Sequence, residues 1–73
     1  MPPRPDPVRE FHRLREKYVA AGITRALTAN TPSQLVDVIV RQKCYEQPRL
    51  SYREVLTDLF IADIELKRLY AEV

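Results

Sequence analysis

Residues 23–30 read Ile23-Thr24-Arg25-Ala26-Leu27-Thr28-Ala29-Asn30, and the fold turns on how they are read. At a helical period, Ile23, Ala26 and Leu27 share the face of a short helix. At a period of two, Ile23, Arg25, Leu27 and Ala29 line one side of a strand. The first reading gives a purely helical bundle, and the second gives a strand followed by two helices. The stretches on both sides are helical in pattern, so this octet alone separates the alternatives.

Downstream, Thr31-Pro32-Ser33-Gln34 is a helix start, with Thr31 as cap, Pro32 in the first turn and Gln34 placed to close a capping box. Leu35, Val38, Ile39 and Gln42 stack along one side, widened by Val36 and Tyr45, and the spacing predicts a helix to about residue 46, stopped by Pro48. A second capping box, Ser51 with Glu54, opens the last helix, and Leu50 is available as a staple to Val55. From there Val55, Leu59, Ala62, Leu66, Leu69 and Val73 recur at spacings of three and four, flanked by Tyr52, Leu56 and Tyr70. The pattern predicts one long amphipathic helix that forms the backbone of the core.

Upstream, Asp6 reads as an N-cap and Pro7 as the first helical residue. Val8, Phe11, Leu14, Tyr18 and Ala21 then fall on one face, Arg9 and Arg13 on the other beside His12, Glu16 and Lys17, and Gly22 supplies the stop. Before Asp6, Pro2-Pro3-Arg4-Pro5 fixes φ, removes backbone donors and favours a stiff polyproline II arm. The expectation is an all-α fold: a small bundle of three to four helices spanning residues 7–73, with a flexible proline-rich arm at residues 1–6.

The composition narrows the function. One domain is all that 73 residues allow, and 45% hydrophobic with 30% charged residues is a globular balance. A single glycine argues against a hairpin-rich fold. Cys44 is alone, so no internal disulfide forms. No signal peptide is present and no apolar stretch approaches the length that spans a membrane, which leaves the cytoplasm as the expected location. Charge is graded along the chain: residues 1–25 carry six basic and three acidic side chains, residues 26–54 four and three, and residues 55–73 two and four. That asymmetry is well short of a nucleic-acid-binding polycation.

No constellation for chemistry appears. His12 and Cys44 are the only soft ligands and stand apart, so no metal or nucleophile site is expected. Asp58, Glu65 and Glu72 scatter over the last helix as a solvated face would, while Asp63 sits at the edge of the apolar stripe, four residues before Lys67, its expected ion-pair partner. One glycine cannot build a phosphate loop. The expected protein is a non-enzyme without cofactor. Two surface features remain. One is the basic front, Arg4, Arg9, Arg13 and Lys17 with His12, suited to an acidic protein partner. The other is Ile61 and Ile64, which project away from the apolar stripe and either pack under the first helix or form a secondary partner contact.

The front segment RPDPVREFHRLREK (residues 4–17), with the short length, helical pattern and polarised charge, resembles the small regulators that bacteriophages encode to bind host bacterial RNA polymerase. The resemblance implies a non-enzymatic transcription regulator acting in the host cytoplasm. It would bind a polymerase subunit and inhibit initiation, for instance by competing with the sigma factor, or alter termination. The alternative rests on ITRALTANTPSQLVDVIVRQKCYEQPRLSYREVL (residues 23–56), similar in order to the ribbon-helix-helix DNA-binding repressors. In that family the paired strands of a dimer lie in the major groove. The resemblance implies base-reading by Thr24, Thr28 and Asn30, or in the other register by Arg25.

Overall fold

The computed structural model describes residues 6–72, with the Glu72 side chain outside that description. Residues 1–5 of the expected arm, including Arg4, and the core position assigned to Val73 lie outside the described residues, while Asp6 belongs to the start of α1. The rest is helical: α1 (Pro7–Ala20), a 3₁₀ helix (Thr24–Thr28), α2 (Pro32–Glu46), α3 (Tyr52–Ala62) and α4 (Ile64–Glu72). The all-α bundle is therefore the observed fold.

The helix starts are where the caps place them. The Asp6 carboxylate accepts the Val8 N–H at 3.0 Å, Thr31 Oγ1 accepts the Gln34 N–H at 3.1 Å and Ser51 Oγ accepts the Glu54 N–H at 3.2 Å. Each satisfies a backbone donor that the first turn leaves unpaired. The reciprocal arm of the Thr31 box is displaced by one residue, since Gln34 Oε1 accepts from the Asn30 N–H. Helix α1 ends in a Schellman turn: Gly22 adopts φ 101°, its N–H bonds Val19 O, and the Ile23 N–H bonds Tyr18 O. This geometry needs the left-handed conformation that glycine takes without strain.

That turn settles residues 23–30. It buries Ile23 and starts the 3₁₀ helix, which is held by the Ala26 N–H on Ile23 O and closed by the Ala29 N–H on Ala26 O. Ile23, Ala26 and Ala29 face the core. The helical reading holds, and the strand required by the ribbon-helix-helix alternative is a 3₁₀ helix instead.

The core lies between α1, α2, α3 and α4, with Leu14, Leu35, Ile39 and Leu66 fully buried. Burying a leucine or isoleucine stabilises by roughly 1.5–3 kcal/mol, so a few such residues hold a domain of this size. Three expectations are corrected here. Val8 and Ala21 are exposed at the ends of the α1 stripe, because the core reaches only its middle. The buried face of α2 is Leu35, Val36, Ile39 and Val40, while Tyr45 is exposed. This face is rotated from the expected one because β-branched residues surround the helix and blur the contrast between its sides.

The third correction concerns the last helix, which is two. Asp63 interrupts it with φ −129° and ψ 89°. Its N–H bonds Leu59 O at 2.8 Å, ending α3, and its Oδ1 accepts the Leu66 N–H at 3.1 Å, starting α4. One residue serves as C-cap of one helix and N-cap of the next.

Candidate protein-binding surface

The cations of α1 divide into two groups. On the face turned toward α4 they are committed to it. Arg13 pairs with Glu10 on its own helix at 3.3 Å and with Glu65 across the interface. Lys17 Nζ lies 3.2 Å from Asp63 Oδ2, and the Tyr18 hydroxyl donates to the same oxygen at 2.5 Å. Asp63 is the only charged side chain buried among the described residues, and it accepts three hydrogen bonds, from Tyr18, Lys17 and the Leu66 N–H. Burial pushes its carboxyl up, but the bonds from Tyr18, Leu66 and Lys17 and the Lys17 charge outweigh burial and hold it below the ordinary carboxylate range. Tyr18 moves the opposite way: burial, then the hydrogen bond and charge of Asp63, push its phenol well above the usual value. The expected partner of Asp63, the Lys67 ammonium, is not the one it takes. Lys67 meets it through a backbone N–H to Asp63 O.

Away from that face, Arg9 and His12 are exposed. Arg15, which the sequence reading left out, lies over the Phe11 ring with its guanidinium carbon 5.5 Å from the centroid. It donates to Ala29 O at 3.2 Å and meets His12 Nδ1 at 3.0 Å. His12 and Arg15 rim an apolar hollow of about 310 Å³ lined by Pro7, Val8, Phe11, Pro32 and Leu69. Val8 is 63% exposed at its edge, which turns the apparent core residue at the start of α1 into a surface one. The sequence signal for it was position: a residue in the first turn lies beyond the reach of the core.

Of the remaining sequence-predicted residues Asn30 also lines this hollow, and the others do not join the surface. Thr24, Arg25, Thr28 and Asn30 are exposed on or beside the 3₁₀ helix. Thr28 Oγ1 bonds Arg25 O at 2.7 Å. Ile61 and Ile64 are 72% and 58% exposed on either side of the α3–α4 break, so they do not pack under α1. Cys44 is half-buried against the core.

A polar hollow of about 520 Å³ on another face is lined in part by Ser33, Gln34, Asp37, Tyr52 and Tyr70. There Tyr52 donates to Asp37 Oδ1 at 2.9 Å. Burial, followed by that hydrogen bond and the Asp37 charge, pushes the Tyr52 phenol up to about 12. It is a neutral donor at physiological pH. Among the described residues no three His, Cys, Asp or Glu side chains converge on a point that could hold a metal ion. No helix there is long and apolar enough to cross a membrane. Neither a protein family, nor a curated protein, nor a solved structure matches this chain.

Proposed function

We propose that this chain is a non-enzymatic transcription regulator that binds bacterial RNA polymerase through the N-terminal half of α1 and inhibits or modulates initiation or termination in the host bacterial cytoplasm. The observation that carries the reading is the division of the α1 cations. Arg13 and Lys17 are used internally, whereas Arg15, with His12, lines an apolar hollow that has Val8 at its edge, and Arg9 stands exposed on the same helix. A positive rim around an apolar centre suits a polymerase surface that offers acidic side chains around an aliphatic or aromatic anchor. Charge steers such an encounter, and the apolar contact sustains it. Arg4, three residues before Pro7, adds a further cation in sequence.

The test is capture of polymerase subunits by the tagged protein from a nuclease-treated bacterial lysate, followed by titration against purified core enzyme and holoenzyme. Arg9→Glu and Val8→Glu, both at exposed positions, are expected to weaken binding at least about tenfold while circular dichroism stays unchanged. Raised salt is expected to weaken the parent and leave Arg9→Glu less affected. If purified polymerase does not bind the parent, or binds both variants as tightly, the reading fails.

A further inference from the structure

The apolar spacing of Val55, Leu59, Ala62, Leu66 and Leu69 runs unbroken across Asp63, yet the backbone breaks there. Nothing in the local sequence compels a break, since neither glycine nor proline lies between Tyr52 and Glu72. What holds it is the side chain of Asp63: it caps α4 through Leu66 and is tied to α1 by Tyr18 and Lys17. Without those bonds, helical continuation through residue 63 satisfies the backbone equally well. Ile61 and Ile64, on either side of the break, are both exposed.

We propose that Asp63 is a hinge lock, and that when it is removed residues 52–72 straighten into one helix whose α4 half seats between α1 and α2 of a second copy of this chain. The seat fits by construction, because it is the one α4 occupies in its own chain, with Leu66 and Leu69 buried in it. The exchange is reciprocal and closes as a two-fold dimer. The stretch around residue 63 becomes the only new interface: two straightened helices cross there, bringing Ile61 and Ile64 of both chains to the dyad. In the parent, the lock and the high effective concentration of a tethered α4 favour the closed monomer.

The test uses chains that each carry one cysteine, in a Cys44→Ser background: one with Arg13→Cys, the other with Glu65→Cys. These positions face each other across the α1–α4 interface. A short bismaleimide applied to an equimolar mixture links the two different chains only if α4 of one lies on α1 of the other. With Asp63→Ala added to both, the expected result is a species of twice the 8.6 kDa chain mass by light scattering, and a cross-linked heterodimer. Without it, the expected result is a monomer and no cross-link. A folded monomeric Asp63→Ala variant, or a dimer that does not cross-link between positions 13 and 65, overturns the proposal. If circular dichroism shows Asp63→Ala unfolded, the same pair of chains with Tyr18→Phe and Lys17→Met in its place, which frees Asp63 from α1, decides. Cross-linked heterodimer there supports the exchange, and its absence overturns it.

Discussion

Tyr18→Phe removes a single oxygen, and its cost follows from the surroundings of Asp63. The hydroxyl donates to a carboxylate oxygen at 2.5 Å, and the acceptor residue is only 7% exposed, so water cannot readily take its place. A hydrogen bond to a charged group contributes about 1.5–3 kcal/mol, which sets the expected loss at ~2 kcal/mol at pH 7. Size scaling gives a 73-residue chain a total stability of about 4–11 kcal/mol, so the loss is a large share. It corresponds to a fall in Tm of about 8–16 °C. By contrast Lys17→Met, which removes an ammonium whose side chain is 57% exposed, is expected to cost under ~1 kcal/mol because solvent screens the pair. The pH dependence has a definite sign. The Asp63 carboxyl is held below its ordinary value in the folded state. Its contribution is therefore complete above the unfolded carboxylate pKa, near 4, and is lost as pH falls through the folded value. Urea denaturation followed by circular dichroism at pH 7 and at about pH 2 reads both effects. The Tyr18→Phe penalty is expected to shrink in acid, where the carboxyl is protonated in both states. A penalty below about 0.5 kcal/mol at pH 7, or one of equal size at both pH values, refutes the assignment of Asp63 as the charged acceptor.

Three further outcomes follow from single contacts. Thr31→Ala removes the cap on the Gln34 N–H and is expected to cost about 1 kcal/mol in the same denaturation assay, with Thr31→Ser restoring most of it. Arg13→Ala breaks the exposed pairs with Glu10 and Glu65 and is expected to cost less than ~1 kcal/mol, an effect that vanishes at 1 M salt. Spectrophotometric titration of the tyrosines is expected to show the Tyr52 phenol ionising at about 12, with Asp37→Asn lowering that midpoint by removing the neighbouring negative charge.

The parts of the fold that were legible in the sequence are those fixed by local chemistry. Asp6, Thr31 and Ser51 announce helix starts because a short oxygen-bearing side chain satisfies backbone donors two or three residues away, whatever the tertiary context. Gly22 announces a stop for an equally local reason. Residues 23–30 were ambiguous because their outcome is decided by the Schellman turn before them and by the burial of Ala26 and Ala29, two residues that carry little pattern of their own. The break at Asp63 escaped because only Ala62, a small residue, leaves the apolar stripe for solvent; the spacing of its larger neighbours is undisturbed. A signal was nonetheless present. Asp63 followed by Glu65 in the next turn has the composition of a helix start, but the apolar periodicity overrode it. The charges of Arg13 and Lys17 were legible as a basic face. Their partners were not, since Glu65 and Asp63 lie 52 and 46 residues away.

Those distant partners bear on how α1 can serve a binding role. The polar contacts of Arg15 go to Ala29 O, His12 and the Phe11 ring rather than to Asp63 or Glu65, so an acidic partner that engages it need not loosen the bonds that hold α4. An acidic partner that reaches Arg13 or Lys17 must compete with Glu65 and Asp63, and any gain there is offset by the weakened hold on α4. The two cases separate experimentally. Engagement confined to the front half of α1 leaves amide exchange in α4 as it is in the free protein. Competition for Arg13 and Lys17 speeds exchange there, because the bonds that close the hinge are then shared with the partner. On the proposed function, the partner meets the hollow beside Val8, and the expected result is exchange at Leu66 and Leu69 that is no faster in the complex than in the free protein. Faster exchange at those two residues would move the contact surface one to two turns along α1, onto the face that Asp63 and Glu65 already occupy.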